Sequence, residues 1–144
     1  MRHTRLMVAI VLFGSSCLAW EQAAAAPLSC TVSAQVGAQA TTWTFAIAQF
    51  INYGSAIGAP IFGMNNTQNI PAHGSVSISL NPTQIMMAWE EGPSAGAQFT
   101  RRYSVTLGPN LRGNGSVIQN GPAGTAFFDI FVGDTNCSAA VALP

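Results

Sequence analysis

Apolar and polar residues alternate along most of the chain. The clearest case is segment 75–80, in which Val76, Ile78 and Leu80 alternate with three serines. A period of two residues is typical of a strand with one face buried and the other in solvent. No segment has a sustained apolar period of 3.6 residues, so the pattern predicts an all-β chain.

Glycine, proline and asparagine divide the chain into segments that we expect to be strands. Segment 60–63 is expected at a sheet edge because Pro60 cannot donate to a ladder, and Asn114-Gly115 is expected to be a tight turn. About seven to nine short strands of this kind predict a single antiparallel β-sandwich or a jelly-roll-like barrel. The expected strands are 30–36, 41–53, 60–63, 75–80, 84–90, 98–107, 111–119, 125–132 and 138–143.

The first residues predict a cleaved signal peptide. A basic start precedes an apolar run at 6–20 and a stretch of alanines, which is the order of a secretory leader. The run is shorter than the roughly 20 residues of a transmembrane helix. Cys17 lies inside it, and a lipidated cysteine there is the less favoured alternative. We therefore expect residues 1–25 to be removed and residues 26–144 to form one secreted domain, extracellular, at the cell surface or in the periplasm.

Two cysteines remain beyond this leader, Cys30 and Cys137. In an oxidising compartment two cysteines can pair in one way, so we predict a disulfide between the first strand and the last. A bridge that closes a loop of this length contributes about 4–5 kcal/mol in the chain-entropy model. We interpret it as a clasp that stabilises the fold and takes no part in a reaction.

Charge is scarce after residue 25. Three arginines and four carboxylates give a net charge of −1, and the chain has no lysine. This composition lacks the basic patch of a nucleic-acid-binding protein and the Lys/Arg clusters that bind anionic lipid. The polar residues are mostly uncharged, so little repulsion separates copies of the protein. The expected partners are copies of the chain itself or a neutral polysaccharide, with no nucleic acid and no membrane span.

The ionisable residues offer few catalytic arrangements. Glu90 and Glu91 are the one adjacent pair of carboxylates. Neighbouring residues of a strand point to opposite faces, so this pair cannot flank one glycosidic bond as hydrolysis requires unless the strand ends there. We expect both to meet Arg101 and Arg102 across an exposed hairpin instead.

His73 is the one histidine after the leader, and no Gly-x-Ser-x-Gly motif accompanies it. Asp129, Asp134 and Asn136 offer oxygen ligands at an expected turn, but Ca²⁺ needs about six to eight. One histidine and two cysteines are too few for zinc. We predict no catalytic residue, no metal, no cofactor and a core without charged side chains.

One strand carries two aromatic residues on its polar face. By alternation, Phe127, Asp129 and Phe131 lie outside if Ile130 lies in the core. Two exposed aromatic rings beside a carboxylate suggest a sugar-stacking platform, a self-association patch or a face covered by a loop. The remaining alternative is a buried Asp129 that pairs with an arginine. Trp89 is a further aromatic candidate for binding.

Three Asn-x-Ser/Thr sequons begin at Asn65, Asn114 and Asn136. They are glycosylation acceptors only in a host that modifies its secreted proteins.

The leading hypothesis is a non-enzymatic extracellular structural or adhesive module. The more specific version of this hypothesis is that the module self-assembles. One alternative is a carbohydrate-binding module for a neutral glycan, which would use the aromatic candidates. The other is a small secreted hydrolase using His73 or the Glu90–Glu91 pair.

Overall fold

The structure is a computed structural model that describes residues 28–80, 82–93 and 98–139, without the side chains of Leu80 and Ala139. The expected signal peptide at 1–25 lies outside these ranges, as does most of the predicted strand 138–143.

Nine strands and no helix make up the described residues, which confirms the all-β prediction. Every pairing between strands is antiparallel. The strands are β1 (Leu28–Val36), β2 (Gln39–Ile47), β3 (Ile51–Asn52), β4 (Ala56–Asn65), β5 (Ile70–Leu80), β6 (Thr83–Glu91), β7 (Thr100–Leu107), β8 (Gly113–Gly121) and β9 (Gly124–Ala139).

The sheet closes on itself. The strand order is β2-β1-β9-β8-β7-β6-β5-β4-β3, and a further pairing of β2 with β4 joins the two sides into an eight-stranded barrel with β3 as an extra strand. Of the two architectures predicted from the sequence, the protein therefore adopts the barrel. From β4 to β9 each strand pairs with the next one along the chain. Closure removes the long free edges that an open sheet would expose.

Alternate side chains of each barrel strand fill the interior. On β5, Val76 and Ile78 are buried, as alternation predicts. The centre of the barrel is an aromatic cluster in which Trp89 stacks on Tyr103, with ring centroids 4.7 Å apart. Trp43 meets both of these rings edge-on at 5.3 Å. Such edge-to-face and stacked contacts add stability beyond the area that they bury.

Two inward-facing glycines allow neighbouring strands to approach closely. A Cβ atom on Gly115 of β8 would lie 1.8 Å from the backbone oxygen of Ser104, and one on Gly74 of β5 would lie 2.0 Å from that of Ala88. The prediction of a tight turn at Asn114-Gly115 is wrong, because both residues lie within β8. The glycine is needed for a close approach in a curved wall, not for a turn.

The prediction that segment 60–63 is an edge strand is also wrong. β4 pairs with β5 on one side and with β2 and β3 on the other. Pro60 is tolerated because it lies where the partner of β4 changes from β3 to β2. Segment 41–53 divides at the same place, into β2 and the two-residue β3.

β9 joins two of the predicted strands. Segments 125–132 and 138–143 were expected to be separated by a turn, but β9 continues to Ala139. The ladder with β1 shifts register near Ser33 and skips Gly133. One extra residue bends a strand and increases its twist without ending it.

The predicted disulfide between Cys30 and Cys137 is confirmed, with its Sγ atoms 2.08 Å apart. The two residues are direct partners in the ladder between β1 and β9, and their Cα atoms are 4.0 Å apart. The bridge therefore spans the seam at which the last strand of the barrel meets the first.

Candidate functional site

Phe127, Asp129 and Phe131 share the outer side of β9, and we call them the β9 aromatic face. Phe127 is 73% exposed and Phe131 is 56% exposed, with the exposed Asp129 between them. Phe131 is four positions after Phe127 in the strand, which places their Cα atoms about 13 Å apart. The placement follows from alternation, while the binding role of the face stays a prediction.

The strands beside this face present mainly neutral side chains. On β8, Ile118 is opposite Phe127, Ser116 is opposite Asp129 and Asn114 is opposite Phe131. On β1, Gln35 is opposite Phe131. Asp129 is therefore the one charged residue in this patch of wall, and the two rings are bordered by amide and hydroxyl groups.

Trp89 lies elsewhere. Its side chain is 3% exposed and belongs to the aromatic cluster inside the barrel. The alternation along β6 explains this, because Met87 and Trp89 are alternate residues whose side chains both face the barrel interior. The structure therefore brings together three of the four aromatic and acidic binding candidates and separates Trp89 from them.

Glu91 is the main departure from the expectation of a core without charge. It is 1% exposed and lies inside the barrel, in phase with Trp89. Its Oε1 atom accepts hydrogen bonds from the Trp43 indole N–H and, at 3.0 Å, from the Asn65 amide. Its Oε2 atom accepts one from the Tyr103 hydroxyl at 2.9 Å. Three donors on three strands thus satisfy one buried carboxylate, as burial of such a group requires.

Arg101 lies at the same end of the barrel, opposite Glu91 in the ladder between β6 and β7. Its guanidinium donates to Gln119 Oε1 at 2.8 Å and to Gln68 Oε1 at 2.9 Å. It also lies 4.5 Å from the centre of the Phe99 ring. The expected surface pairing of Glu91 with Arg101 is replaced by an inward carboxylate and a guanidinium held by two amides.

These surroundings act on the phenol of Tyr103. Burial raises the pKa of Tyr103 well above its ordinary value, and the adjacent Glu91 carboxylate adds to the rise. Arg101 acts in the opposite direction, with a smaller effect on the pKa. The phenol therefore stays protonated as a donor to Glu91 in alkaline solution.

The raised pKa of Tyr103 predicts a loss of stability at high pH. In the unfolded chain the phenol ionises near pH 10, whereas in the folded protein it remains protonated. Below about pH 10 the protonated phenol makes its full contribution to the free energy of unfolding. Above that pH the free energy of unfolding falls by up to about 1.4 kcal/mol per pH unit.

Urea unfolding between pH 8 and 11 would measure this slope in the native protein and in Tyr103→Phe. The other tyrosine, Tyr53, is common to both proteins, so the difference between the slopes isolates Tyr103. Equal slopes for the two proteins would contradict the prediction.

Of the candidate catalytic residues, His73 and Glu90 are ladder neighbours on the outer face of the wall, whereas Glu91 is buried on the inner face. Glu90 points outward and forms an exposed ion pair with Arg102, with Nε and Oε1 3.2 Å apart. Glu91 points inward, so the two carboxylates lie on opposite faces of the wall, as alternation predicts. His73 is exposed on β5, opposite Glu90 on one side and Phe62 on the other.

The sequons differ in accessibility. Asn65 is fully buried, donates to Glu91 and accepts from the backbone N–H groups of Thr67 and Gln68. Asn114 and Asn136 are exposed. The folded protein therefore offers the side chains of two of the three sequons to solvent.

A surface depression of about 320 Å³ lies where β3 and the β3–β4 turn meet the outer wall of β4 and β5. Tyr53, 69% exposed, forms one side of it together with Ile51. Pro60, Ser75 and Ser77 lie across from them. The sequence prediction did not include this site, because Tyr53 and Ser75 meet only through the pairing of β3, β4 and β5.

Comparisons of the chain with models of protein families, with curated proteins and with solved structures find no match. In residues 28–80, 82–93 and 98–139 there is no group of three or more His, Cys, Asp or Glu side chains that could hold a metal ion. Within the same part of the chain, no helix is long and apolar enough to cross a membrane.

Proposed function

We propose that the protein is a non-enzymatic, secreted adhesive or structural module that associates with copies of itself through the β9 aromatic face. The observation that carries this proposal is the exposure of Phe127 and Phe131 on one face of a wall with few charges. Large contiguous apolar patches are rare on soluble monomers and often mark interaction sites, and Ile118, the ladder partner of Phe127, adds apolar surface to this face.

The surroundings of the face support a neutral partner such as a second copy. The nearest cross-strand neighbours are an isoleucine, a serine and an asparagine. These side chains carry no charge, so they do not repel a partner electrostatically. Covering a phenylalanine side chain is worth about 1.5–3 kcal/mol. Two such rings support a weak, reversible contact better than a permanent one, since association itself has a large entropic cost.

The disulfide supports a location outside the cytosol. Bridges such as Cys30–Cys137 form and persist in oxidising compartments. The bridge also stabilises a barrel whose interior is filled by side chains, which leaves the outer wall as the surface for binding.

Sedimentation equilibrium of the purified disulfide-bonded protein tests the proposal. We expect reversible self-association that the double substitution Phe127→Ser and Phe131→Ser weakens at least about tenfold, which corresponds to 1.4 kcal/mol. Phe62→Ser is the control, because Phe62 on β4 is a phenylalanine whose exposed fraction lies between those of Phe127 and Phe131. A native protein that stays monomeric to about 1 mM, or an equal effect of Phe62→Ser, would overturn the proposal.

A further inference from the structure

We propose that the depression beside Tyr53 binds one ring of a neutral glycan. The proposal goes beyond self-association and uses a different part of the barrel. The depression is formed by residues of β3, β4 and β5, whereas the β9 aromatic face has β8 and β1 as its neighbours. Its volume of about 320 Å³ is at the lower end of the range of small-molecule sites.

The position of Tyr53 is set by the turn that precedes β4. The Tyr53 N–H donates to the carbonyl of Ala56 at 2.8 Å, and the Asn52 side chain accepts from the Gly54 N–H at 2.8 Å. The ring then lies against Gly58, where a Cβ atom would be 3.3 Å from Tyr53 Cε2. The turn and the missing side chain at Gly58 thus hold an exposed aromatic ring against the sheet.

The opposite side of the depression supplies hydroxyl groups. Ser75 and Ser77 are alternate residues of β5 and point to the outer face, about 7 Å apart along the strand. Neither hydroxyl has a hydrogen-bond partner among the described residues. Both are therefore available to a ligand, each as a donor and an acceptor.

This combination fits an uncharged, hydroxyl-rich ring. An anionic or cationic ligand would find no charged side chain in the lining to compensate it. A purely apolar ligand would cover the two serine hydroxyls without satisfying them, which costs free energy. A pyranose has a C–H face for the Tyr53 ring and hydroxyl groups for Ser75 and Ser77, so it meets both requirements.

A longer glycan would continue along the same wall. Pro60 and Phe62 follow Gly58 at alternate positions of β4, and both are exposed. Phe62 lies about 13 Å from Gly58 along the strand. We therefore expect affinity to rise from a monosaccharide to a hexasaccharide.

Isothermal titration with β-1,4-glucan, α-1,4-glucan and β-1,4-mannan hexasaccharides tests this site. We expect at least one of them to bind and a polygalacturonate hexasaccharide not to bind. Tyr53→Ala should weaken binding by about tenfold, the loss of one aromatic stacking contact, and Tyr53→Phe should retain it. Phe127→Ala is the matched control and should leave glycan binding unchanged.

The outcomes separate this site from the proposed self-association. Failure of all three neutral hexasaccharides to bind overturns the inference, as does unchanged binding by Tyr53→Ala. Loss of binding in Phe127→Ala but not in Tyr53→Ala would place the glycan on the β9 aromatic face and overturn it too. Self-association is measured by sedimentation in the absence of glycan, so its failure leaves the titration result intact.

Discussion

Replacing Glu91 by alanine is expected to destabilise the barrel by about 3–5 kcal/mol, because three buried donors lose their acceptor. The indole of Trp43, the amide of Asn65 and the hydroxyl of Tyr103 all donate to this carboxylate. An unsatisfied buried donor costs about 1–3 kcal/mol, and water cannot readily replace the lost acceptor in a packed interior. For a domain with a typical stability of about 5–15 kcal/mol this is a large loss.

Glu90→Ala is the matched control for this prediction. Glu90 precedes Glu91 in the same strand but forms an exposed ion pair with Arg102, and such pairs contribute up to about 1 kcal/mol. Urea unfolding of the disulfide-bonded variants at one pH measures both effects. Similar midpoints for Glu90→Ala and Glu91→Ala would show that the buried network is not important for stability.

The two buried tryptophans extend the comparison. Trp43 donates its indole N–H to Glu91, whereas the indole N–H of Trp89 has no partner among the described residues. Trp43→Phe and Trp89→Phe remove the same number of atoms, but only the first removes a donor from the carboxylate. We therefore expect Trp43→Phe to be the more destabilising of the two.

Gly115→Ala is expected to destabilise the barrel by about 3 kcal/mol, near the upper end of the usual range for overpacking. The new methyl group would lie 1.8 Å from the backbone oxygen of Ser104. That oxygen belongs to the β7–β8 pairing, so it cannot move without opening the wall. A shortened side chain on Val105, the ladder partner of Gly115, would not relieve a contact with backbone.

Gly133→Ala provides the control for Gly115→Ala. Gly133 also lies within a strand, but apart from Gly133 and its two chain neighbours no heavy atom of the described residues lies within 4 Å of the position that its Cβ would take. Thermal and urea unfolding should show a small effect for Gly133→Ala and a large one for Gly115→Ala. A double variant Gly115→Ala and Val105→Ala that is more stable than Gly115→Ala alone would contradict the backbone contact as the cause.

Alternation was enough to predict the class of the fold and most of its strands. It places Val76 and Ile78 inside and Phe127 and Phe131 outside, because a period of two residues fixes the face of each side chain once one face is buried. It cannot predict closure, since the pairing of β2 with β4 joins segments whose sequences contain no sign of that contact. Gly115 shows a further limit, because the residue pair that favours a turn also suits a close approach between strands.

Only part of the candidate site was predictable, again because alternation gives the face on which a side chain lies but not the pairing of distant strands. The outer face of β9 follows from the sequence, whereas the position of Trp89 and Glu91 depends on the phase of β6. Met87, Trp89 and Glu91 share that phase, so continuing the alternation to the end of the strand would have placed the carboxylate inside. Its three donors lie on β2, β4 and β7, and only the folded barrel brings them together.

The bridge across the β1–β9 seam turns most of the chain into a covalent ring. Every strand from β2 to β8 lies between Cys30 and Cys137. A protease that cuts once at any exposed turn within this ring, where nicking is most common, leaves two segments that are still joined by the disulfide. Two cuts are needed to release a piece of the wall, which agrees with the secretion that we propose.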